Sequence, residues 1–570
     1  MTPRVLSPVL LIGAGTGEAT CGILYLAAYL RRHGVEAYVR LNDADESDAE
    51  LARSLSALVA HVRPRLVGIS LKWYHHLARA QLIARTLRAI DPEVRIVLGG
   101  NTASHFWREL AAWDCVDHLV LGDGEVPLLS LCRGEASPPN VITRAADGSA
   151  RRAPLRYVQK ASSGDDIYYS HFDDIFLSQL DLHSFSGWVA PGKGCAESCL
   201  YCGGSRGVHL ASFGRAVPFL RDPASVQRDH REIAHRTWQL RYDFEGGTAE
   251  FFQRAWAGID LSRHACTYFL WGAPSPELLG ALAKTFQRVY AILDVGCFSE
   301  SQRQELMRRR LLKLCPPDRE LLDVIAACRR HPNLQLEVSG IAGLPFASER
   351  TLEQERRLVE RVLGLGCAVA YQRLEVQPGA LVTEYPERFG MAAEARSFTE
   401  LLDSFARREP GDASVPMVRF RDPALEKRVQ RTSEELEAKV WERAARASRV
   451  DIHGGARLVN TSAFTRQLEL GEWLGRYRVP ARVAHEPVTV VRSIDGTGLA
   501  CAPSLSARRF SDPALQQGEE GAALLAVLAA FERPTAVKSA LARFRKAGLD
   551  SDSAREIIDH LAAARFLQPA

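Results

Sequence analysis

The sequence predicts an α/β protein. A doubly wound, flavodoxin- or Rossmann-like sheet comes first, then a partial (β/α)6 barrel, then a helical region with a winged-helix-like end. Three observations carry this reading. Residues 1–135 alternate short apolar runs with amphipathic helical patterns. A second alternation of the same kind runs over 185–395. Beyond it the chain turns helical and rich in Arg and Glu.

In the first stretch, strands are expected at RVLSPVLLIGAG, AYVRLND, RLVGISL, VRIVLGG and VDHLVLGDGE, with helices at segments such as CGILYLAAYLRRHG and HHLARAQLIARTLRAIDP. Strand–helix–strand units need parallel strands, and ligands of such sheets collect over the strand C-termini. The glycine-rich loops there are the first places to look: Gly13 to Gly17, Gly99-Gly100, and Gly122 to Glu125. Residues 136–184 are polar and irregular and read as a linker. In the second stretch, strands are expected at SGWVAP, QLRYDFEGG, CTYFLWG, AILDVGC, LQLEVSGIAG and VAYQRLEVQPG, again with helical patterns between. Six β/α units over about 200 residues suit a partial barrel rather than a full one. Residues 396–480 read as a helical region and 481–570 as a small winged-helix-like domain.

The totals narrow the class. A hydrophobic content of 46% with 25% charged residues is that of a folded domain protein. A net charge of +4 is too small to argue for nucleic acid or an anionic membrane as partner. No run reaches about 18 apolar residues, so no membrane span is expected. Glycines interrupt MTPRVLSPVLLIGAGTGEAT where a secretory signal needs a longer apolar core. Nine of the twelve cysteines are scattered singly, unlike a disulfide framework. A reducing, cytoplasmic setting is therefore expected.

The other three cysteines, Cys195, Cys199 and Cys202, lie together in GKGCAESCLYCGGS. A structural zinc ion wants four protein ligands, and no second Cys-x2-Cys knuckle exists, although His209 is a candidate fourth. Three thiolates suit a 4Fe-4S cube with one iron left open for substrate. The loop follows the first barrel strand, on the face where barrel chemistry takes place.

Cys-x3-Cys-x-aromatic-Cys, with Tyr201 as the aromatic, resembles the signature of the radical S-adenosylmethionine (SAM) superfamily. The resemblance implies a cluster on Cys195, Cys199 and Cys202 whose open iron chelates SAM. An external flavodoxin- or ferredoxin-like donor would supply the electron that cleaves SAM to a 5′-deoxyadenosyl radical. It also implies SAM contacts at Tyr201, Gly203 and the DFEGG segment (Glu245, Gly246, Gly247), and at Ser299 and Ser301. The family's G-I-E-S-G-S pattern departs here, because Phe298 stands where its glutamate is expected. GIAGLPFASERT resembles the G-x-x-G-L-P-G-E-T segment, with Phe346 and Ala347 in place of Gly-Glu. LEVQPGALVTEYPERFGM resembles the P-G-T-x-L turn.

The N-terminal half supplies a second resemblance. GAGTG departs from the dinucleotide fingerprint, because its third glycine comes one residue early. The ordered segments GILYLAAYLRRHGVEA, LVGISL, RIVLGGNTA and DHLVLGDGEVPLLSL resemble radical SAM enzymes with a cobalamin-binding domain. This resemblance implies cobalamin contacts at Gly13, Thr16, Gly17, Ser70, Leu71, Lys72, Trp73, Tyr74, Gly99, Gly100, Asn101, Gly122, Gly124 and Glu125. The Asp-x-His-x-x-Gly motif that ligates cobalt is missing: DIHGGA ends in Ala456 and lies beyond the barrel. Lys72, Trp73 and Tyr74 are then candidates to face cobalt from below, with His75 and His76 as alternative ligands. The function implied is methylation of an unactivated carbon on a small molecule or peptide. Cyclisation or rearrangement without methyl transfer is the nearest alternative. A metal- or cobalamin-binding regulatory module is the reading from another class.

Overall fold

The computed structural model describes residues 6–16, 21–42, 47–144, 150, 154–161, 186–234, 239–243, 247–262, 264–407 and 415–448, with short stretches between 456 and 569. The first sheet holds β1 (Val9–Thr16), β2 (Ala37–Asn42), β3 (Leu66–Ser70), β4 (Arg95–Gly99), β5 (His118–Val120) and β6 (Val141–Thr143) in the order β2-β1-β3-β4-β5-β6. The first five strands run parallel, and β6 lies antiparallel on β5.

Alternation along β1 explains the double winding. Val9 and Leu11 pack with the helices Cys21–Arg32 and Glu125–Cys132. Leu10 and Ile12 pack on the other face with Asp48–Val62 and Leu77–Ile90. A strand buried on both faces reads as an unbroken apolar run, which is what VLLI is. β3 ends on Ser70 and β4 on Gly99, small residues at which the chain turns over the edge.

β6 falls inside the segment expected to be a linker, so the first sheet extends beyond residue 135. The signal is side-chain chemistry rather than periodicity. Asn140 is fully buried in the left-handed region at φ 58°. Its Oδ1 accepts from Arg156 N at 2.7 Å and Tyr157 N at 3.0 Å, and its Nδ2 donates to Tyr157 O at 2.7 Å. One asparagine thus satisfies an extended segment that has no ladder of its own.

The second sheet holds β7 (Ser186–Trp188), then, past the short antiparallel pair β8 (Gly192–Lys193) and β9 (Phe219–Leu220), β10 (Gln239–Tyr242), β11 (Ala265–Trp271), β12 (Arg288–Asp294), β13 (Leu334–Ala342) and β14 (Ala368–Arg373). The six long-range strands are all parallel and neighbour one another in chain order. This is the expected partial barrel. Cys266, Tyr268 and Leu270 of β11, with Val289, Ala291 and Leu293 of β12, pack beneath the surrounding helices. By the two-residue period, Phe269, Tyr290, Asp294 and Glu337 share the other face, where Tyr290 OH bonds Glu337 Oε2.

Two departures from the family pattern have a local explanation. Phe298 is fully buried, and its ring fills the space beside Gly340, where a Cβ would come within 2.6 Å. Phe346 has φ 68°, a left-handed conformation in which glycine is the unstrained residue. Its ring lies under Arg309, 4.4 Å from the guanidinium carbon.

The two units share buried contacts. Tyr25 OH donates to Asp229 Oδ2 at 3.0 Å, and Asp229 pairs with Arg221 at 2.7 Å, both side chains fully buried. Met391–Ala393 pairs antiparallel with Val418–Phe420, and the helix Phe398–Ala406 between them packs on the helix Leu77–Ile90, with Phe398 5.3 Å from Phe106 and Phe405 5.6 Å from Tyr74. The 26-residue helix Pro423–Ser448 lies against β14, where Glu426 meets Arg373 at 2.5 Å. The expected winged-helix-like domain lies largely outside the described residues, as does DIHGG; within it the helix Val537–Lys546 is described.

Glu355, buried in the helix Glu349–Gly364, accepts from Tyr371 OH. Burial pushes its carboxyl up to about 7. An acid with a raised folded pKa contributes most at low pH, and that contribution falls away from the unfolded value, 4.5, up to about 7. Keeping the carboxylate buried above pH 7 therefore costs about 3 kcal/mol. Glu355→Gln is expected to raise the urea midpoint at pH 8 and to leave it nearly unchanged at pH 4.5.

Candidate functional site

The cysteine loop leaves β8 through Gly194, which has φ 95°, and a Cβ there would sit 2.8 Å from Arg215 Cδ. Each of the three sulfurs accepts a backbone amide: Glu197 N to Cys195 Sγ at 3.3 Å, Lys313 N to Cys199 Sγ at 3.3 Å, and Gly204 N to Cys202 Sγ at 3.2 Å. Such bonds favour thiolate over thiol. Burial works the other way, pushing Cys199 up to about 12 and Cys202 in the same direction. Buried thiols of this kind ionise when a cation binds them. Among the described residues, no set of three or more His, Cys, Asp or Glu side chains is placed to hold a single metal ion. A cube differs in taking each thiolate on a different iron. His209 sits on the helix Arg206–Phe213 with its ring 5.4 Å from Phe213.

Tyr201 is buried beside the cysteines. Its hydroxyl donates to Asp294 Oδ2 at 3.3 Å, and the Lys313 ammonium meets the same oxygen at 2.5 Å. Burial disfavours charge on Lys313, but Asp294 holds its pKa above the ordinary value. One residue thus offers its amide to Cys199 and its ammonium to the acid at the end of β12. Sequence reading missed this pair. DVG and LLKLC carry no motif, and the two residues meet only because β12 ends at the cysteine loop.

The sequence-expected SAM contacts are spread around this point. Gly203 N donates to Gln377 Oε1 at 2.9 Å, and a Cβ on Gly203 would lie 3.0 Å from Pro378 O. The P-G turn therefore packs directly on the cysteine loop. The Ser299 and Ser301 hydroxyls both donate to Gln354 Oε1, at 2.7 and 2.6 Å, and Ser299 caps the helix Glu300–Arg308. Gly247 lies against Phe252, while Glu245 and Gly246 lie outside the described residues.

Over the C-terminal edge of the first sheet lies a cavity of about 290 Å³. Leu11, Val97, Val120 and Leu128 form its apolar wall, and Gly22, Gly68, Gly99, Gly100, Gly122 and Gly124 open it. Gly100 has φ 110°, and a Cβ there would sit 2.6 Å from Leu71 O, so no other residue fits. Of the residues expected from sequence, Ser70, Lys72, Gly99, Gly100, Gly122, Gly124 and Glu125 line this cavity. Gly13 pairs with Ser70 in the sheet, Thr16 ends β1, and Gly17 lies outside the described residues. Asp123 and Lys193 also line the cavity and were not anticipated.

Trp73, Tyr74 and Asn101 line a narrower crevice against the barrel, facing Gly203, Gln377 and Pro378. Asn101 Nδ2 donates to Gly203 O at 3.2 Å, while its buried Oδ1 has no partner. Lys72 reaches both spaces, with its ammonium 5.0 Å from the Trp73 ring and 4.8 Å from the Trp188 ring. His76 is buried, and burial holds its pKa well below the usual range, so its imidazole is neutral.

At about 290 Å³ and with an apolar wall, the cavity has room for an apolar group or for one part of a larger ligand. Glu125 adds a polar feature: it is buried, and its Oε2 has no hydrogen-bond partner. An unpaired buried carboxylate oxygen suits a ligand that brings a donor.

A glycine-lined cavity on a flavodoxin-like sheet thus lies beside a parallel partial barrel that carries a three-cysteine loop. Residues 9–131 match the B12 binding domain family. No curated protein matches the chain. Two solved structures of the radical SAM methyltransferase TsrM from Kitasatospora setae share the architecture. One, with tryptophan substrate and the SAM analogue aza-SAM bound, is 15% identical and has a TM-score of 0.58, over 75% of this chain and 88% of that one. The other, with cobalamin and a [4Fe-4S] cluster bound, is 16% identical at the same TM-score, over 76% and 88%. The likeness is one of fold, and it extends over both the sheet and the barrel.

Gly100→Ala is expected to lower stability by about 3 kcal/mol, from backbone strain and the clash with Leu71 O. The urea midpoint and the corrin retained on gel filtration would both report it.

Proposed function

We propose that this chain is a cobalamin-dependent radical SAM enzyme that methylates an unactivated carbon of a small molecule or peptide. The observation that carries the proposal is the cysteine loop: three sulfurs, each held by a backbone amide, on a loop that is bonded through Gly203 O to Asn101 of the domain that matches the B12-binding family. Cys195, Cys199 and Cys202 would hold a 4Fe-4S cluster, which supplies one-electron cleavage of SAM when bound. Cobalamin would rest on the first sheet and supply a methyl carrier. The TsrM structures, with these groups bound, support the assignment.

The chain's own part is to bind, orient and keep water out. Glycines 99, 100, 122 and 124 let the cobalamin tail lie against backbone. Ser70, Leu71, Trp73, Tyr74 and Asn101 would flank the corrin. Lys72, held between Trp73 and Trp188, would bring a cation to its lower face and disfavour a further ligand there. On the barrel side, Tyr201, Gly203, Gly247, Ser299 and Ser301 frame the SAM site, with Glu245 and Gly246 assigned by resemblance alone. Asp294 supplies the acid that Phe298 removes from the family pattern. Its Oδ1 accepts from Gly296 N at 2.7 Å and its Oδ2 from Tyr201 and Lys313, and each oxygen's remaining acceptor capacity would be offered to the hydroxyl or ammonium groups of SAM. The remaining partners of the proposal are an external flavodoxin- or ferredoxin-like electron donor and a cytoplasmic setting.

Anaerobic turnover with reductant, SAM and cobalamin separates the chemistries. S-adenosylhomocysteine and 5′-deoxyadenosine together, dependent on substrate, are the expected result. 5′-Deoxyadenosine alone would move the assignment to cyclisation or rearrangement. Replacing all three loop cysteines by Ala is expected to abolish the iron–sulfur absorbance near 400 nm, and turnover by that variant would refute the cluster assignment. Asp294→Asn is expected to weaken SAM binding about tenfold, measured by equilibrium dialysis on the cluster-loaded chain, with cluster content unchanged.

A further inference from the structure

The tail cavity and the cysteine loop are joined by one buried ionic network. Lys193 stands two residues before Cys195, yet its ammonium lies in the first domain, 3.3 Å from Asp123 Oδ1 and 3.2 Å from Glu125 Oε1. Gln159 Oε1 also accepts from it. Asp123 Oδ2 takes Arg215 at 2.5 Å and Gln159 N at 2.9 Å. Arg215 in turn packs on Gly194, the residue between Lys193 and Cys195. Both cations of the network therefore abut the start of the cysteine loop, and both acids line the cavity.

Glu125 Oε2, Gln159 Nε2 and Arg215 Nε are the buried atoms of the network without a partner, and of these three residues Glu125 is the one that lines the cavity. Glu125 is 3% exposed, and its Oε1 meets Lys193 while its Oε2 has no partner. A ligand in the cavity that donates to Oε2 completes the carboxylate and fixes the side chain that fixes Lys193. From Lys193 to Cys195 there is one residue, Gly194, held in the left-handed region against Arg215. Between the ammonium and Cys195 stand the lysine's own four-carbon stem and this one backbone residue.

We infer that Lys193 is a positioning residue that couples the two cofactor sites, so that cobalamin in the cavity and the cluster on the cysteines each strengthen the other's binding. The inference rests on the function proposed above. Linkage makes the effect reciprocal: the factor by which the cluster tightens cobalamin equals the factor by which cobalamin tightens the cluster.

The test is the Kd of hydroxocobalamin for the full chain, with the cluster reconstituted and with iron removed. The expected ratio is about tenfold in favour of the loaded chain, within the usual span of coupling between sites. The same pair of measurements is made on Lys193→Met/Glu125→Gln, which removes cation and carboxylate together and leaves Asp123 its arginine. There the ratio is expected to fall to about one, and Lys193→Arg is expected to restore part of it. As a second readout, cobalamin should slow iron release to a chelator in the native chain and not in the double variant.

A ratio near one in the native chain overturns the inference. So does a ratio that survives in the double variant, or a loss of affinity equal in both iron states, which marks a merely structural role. If the chain binds cobalamin in neither state, or assembles no cluster, the proposed function fails and this inference fails with it. Independent binding of both groups would sink the inference alone.

Discussion

Three sulfurs need three amides, and those amides come from distant parts of the chain. Glu197 and Gly204 lie within the loop, but Lys313 arrives from beyond the fourth barrel strand. Much of the neighbouring architecture follows from delivering that third amide. Leu200 N bonds Leu311 O, and Val382 N bonds Leu200 O, so segments after β12 and β14 both close on the loop. The barrel is the scaffold that makes these meetings possible. Its parallel strands end together on one face, which brings chain positions more than a hundred residues apart to a single sulfur.

The same need explains how the two domains join. The cysteine loop is a barrel element, yet Gly203 is held from one side by Gln377 and from the other by Asn101. Cys199, Leu200 and Tyr201 share a buried apolar cluster with Leu10 and Ile12 of the first sheet. Hydrophobic burial on this scale is the main stabilising term in folding. The cysteine loop is therefore also part of the domain interface.

Much of this was legible in the sequence. The six barrel strands and five of the six strands in the first sheet announce themselves by apolar runs between helical patterns. The cysteine spacing marked the loop on which three amides meet three sulfurs. What escaped was of two kinds. β6 is three residues long and stabilised through Asn140, a side-chain device that periodicity does not register. Asp294, Lys313, Asp123 and Lys193 are single charged residues whose meaning depends on partners 19 to 114 positions away. Each looks like surface in a one-dimensional reading, because nothing local marks it for burial. The expected glycine contacts fared better, since Gly99, Gly100, Gly122 and Gly124 sit at strand ends where the fold dictates close backbone approach.

A six-stranded sheet that does not close has two edges, and an open edge is a template for pairing with other chains. Here neither edge is inviting. Among the described residues β7 covers Ser186–Trp188, a short stretch for an added strand to pair with. β14 is flanked by the helix Pro423–Ser448, anchored through Glu426 to Arg373. The long helix reads at first as an appendage to the barrel. Its contacts with β14 cover part of the sheet's last strand, which leaves less of it open to a neighbouring chain.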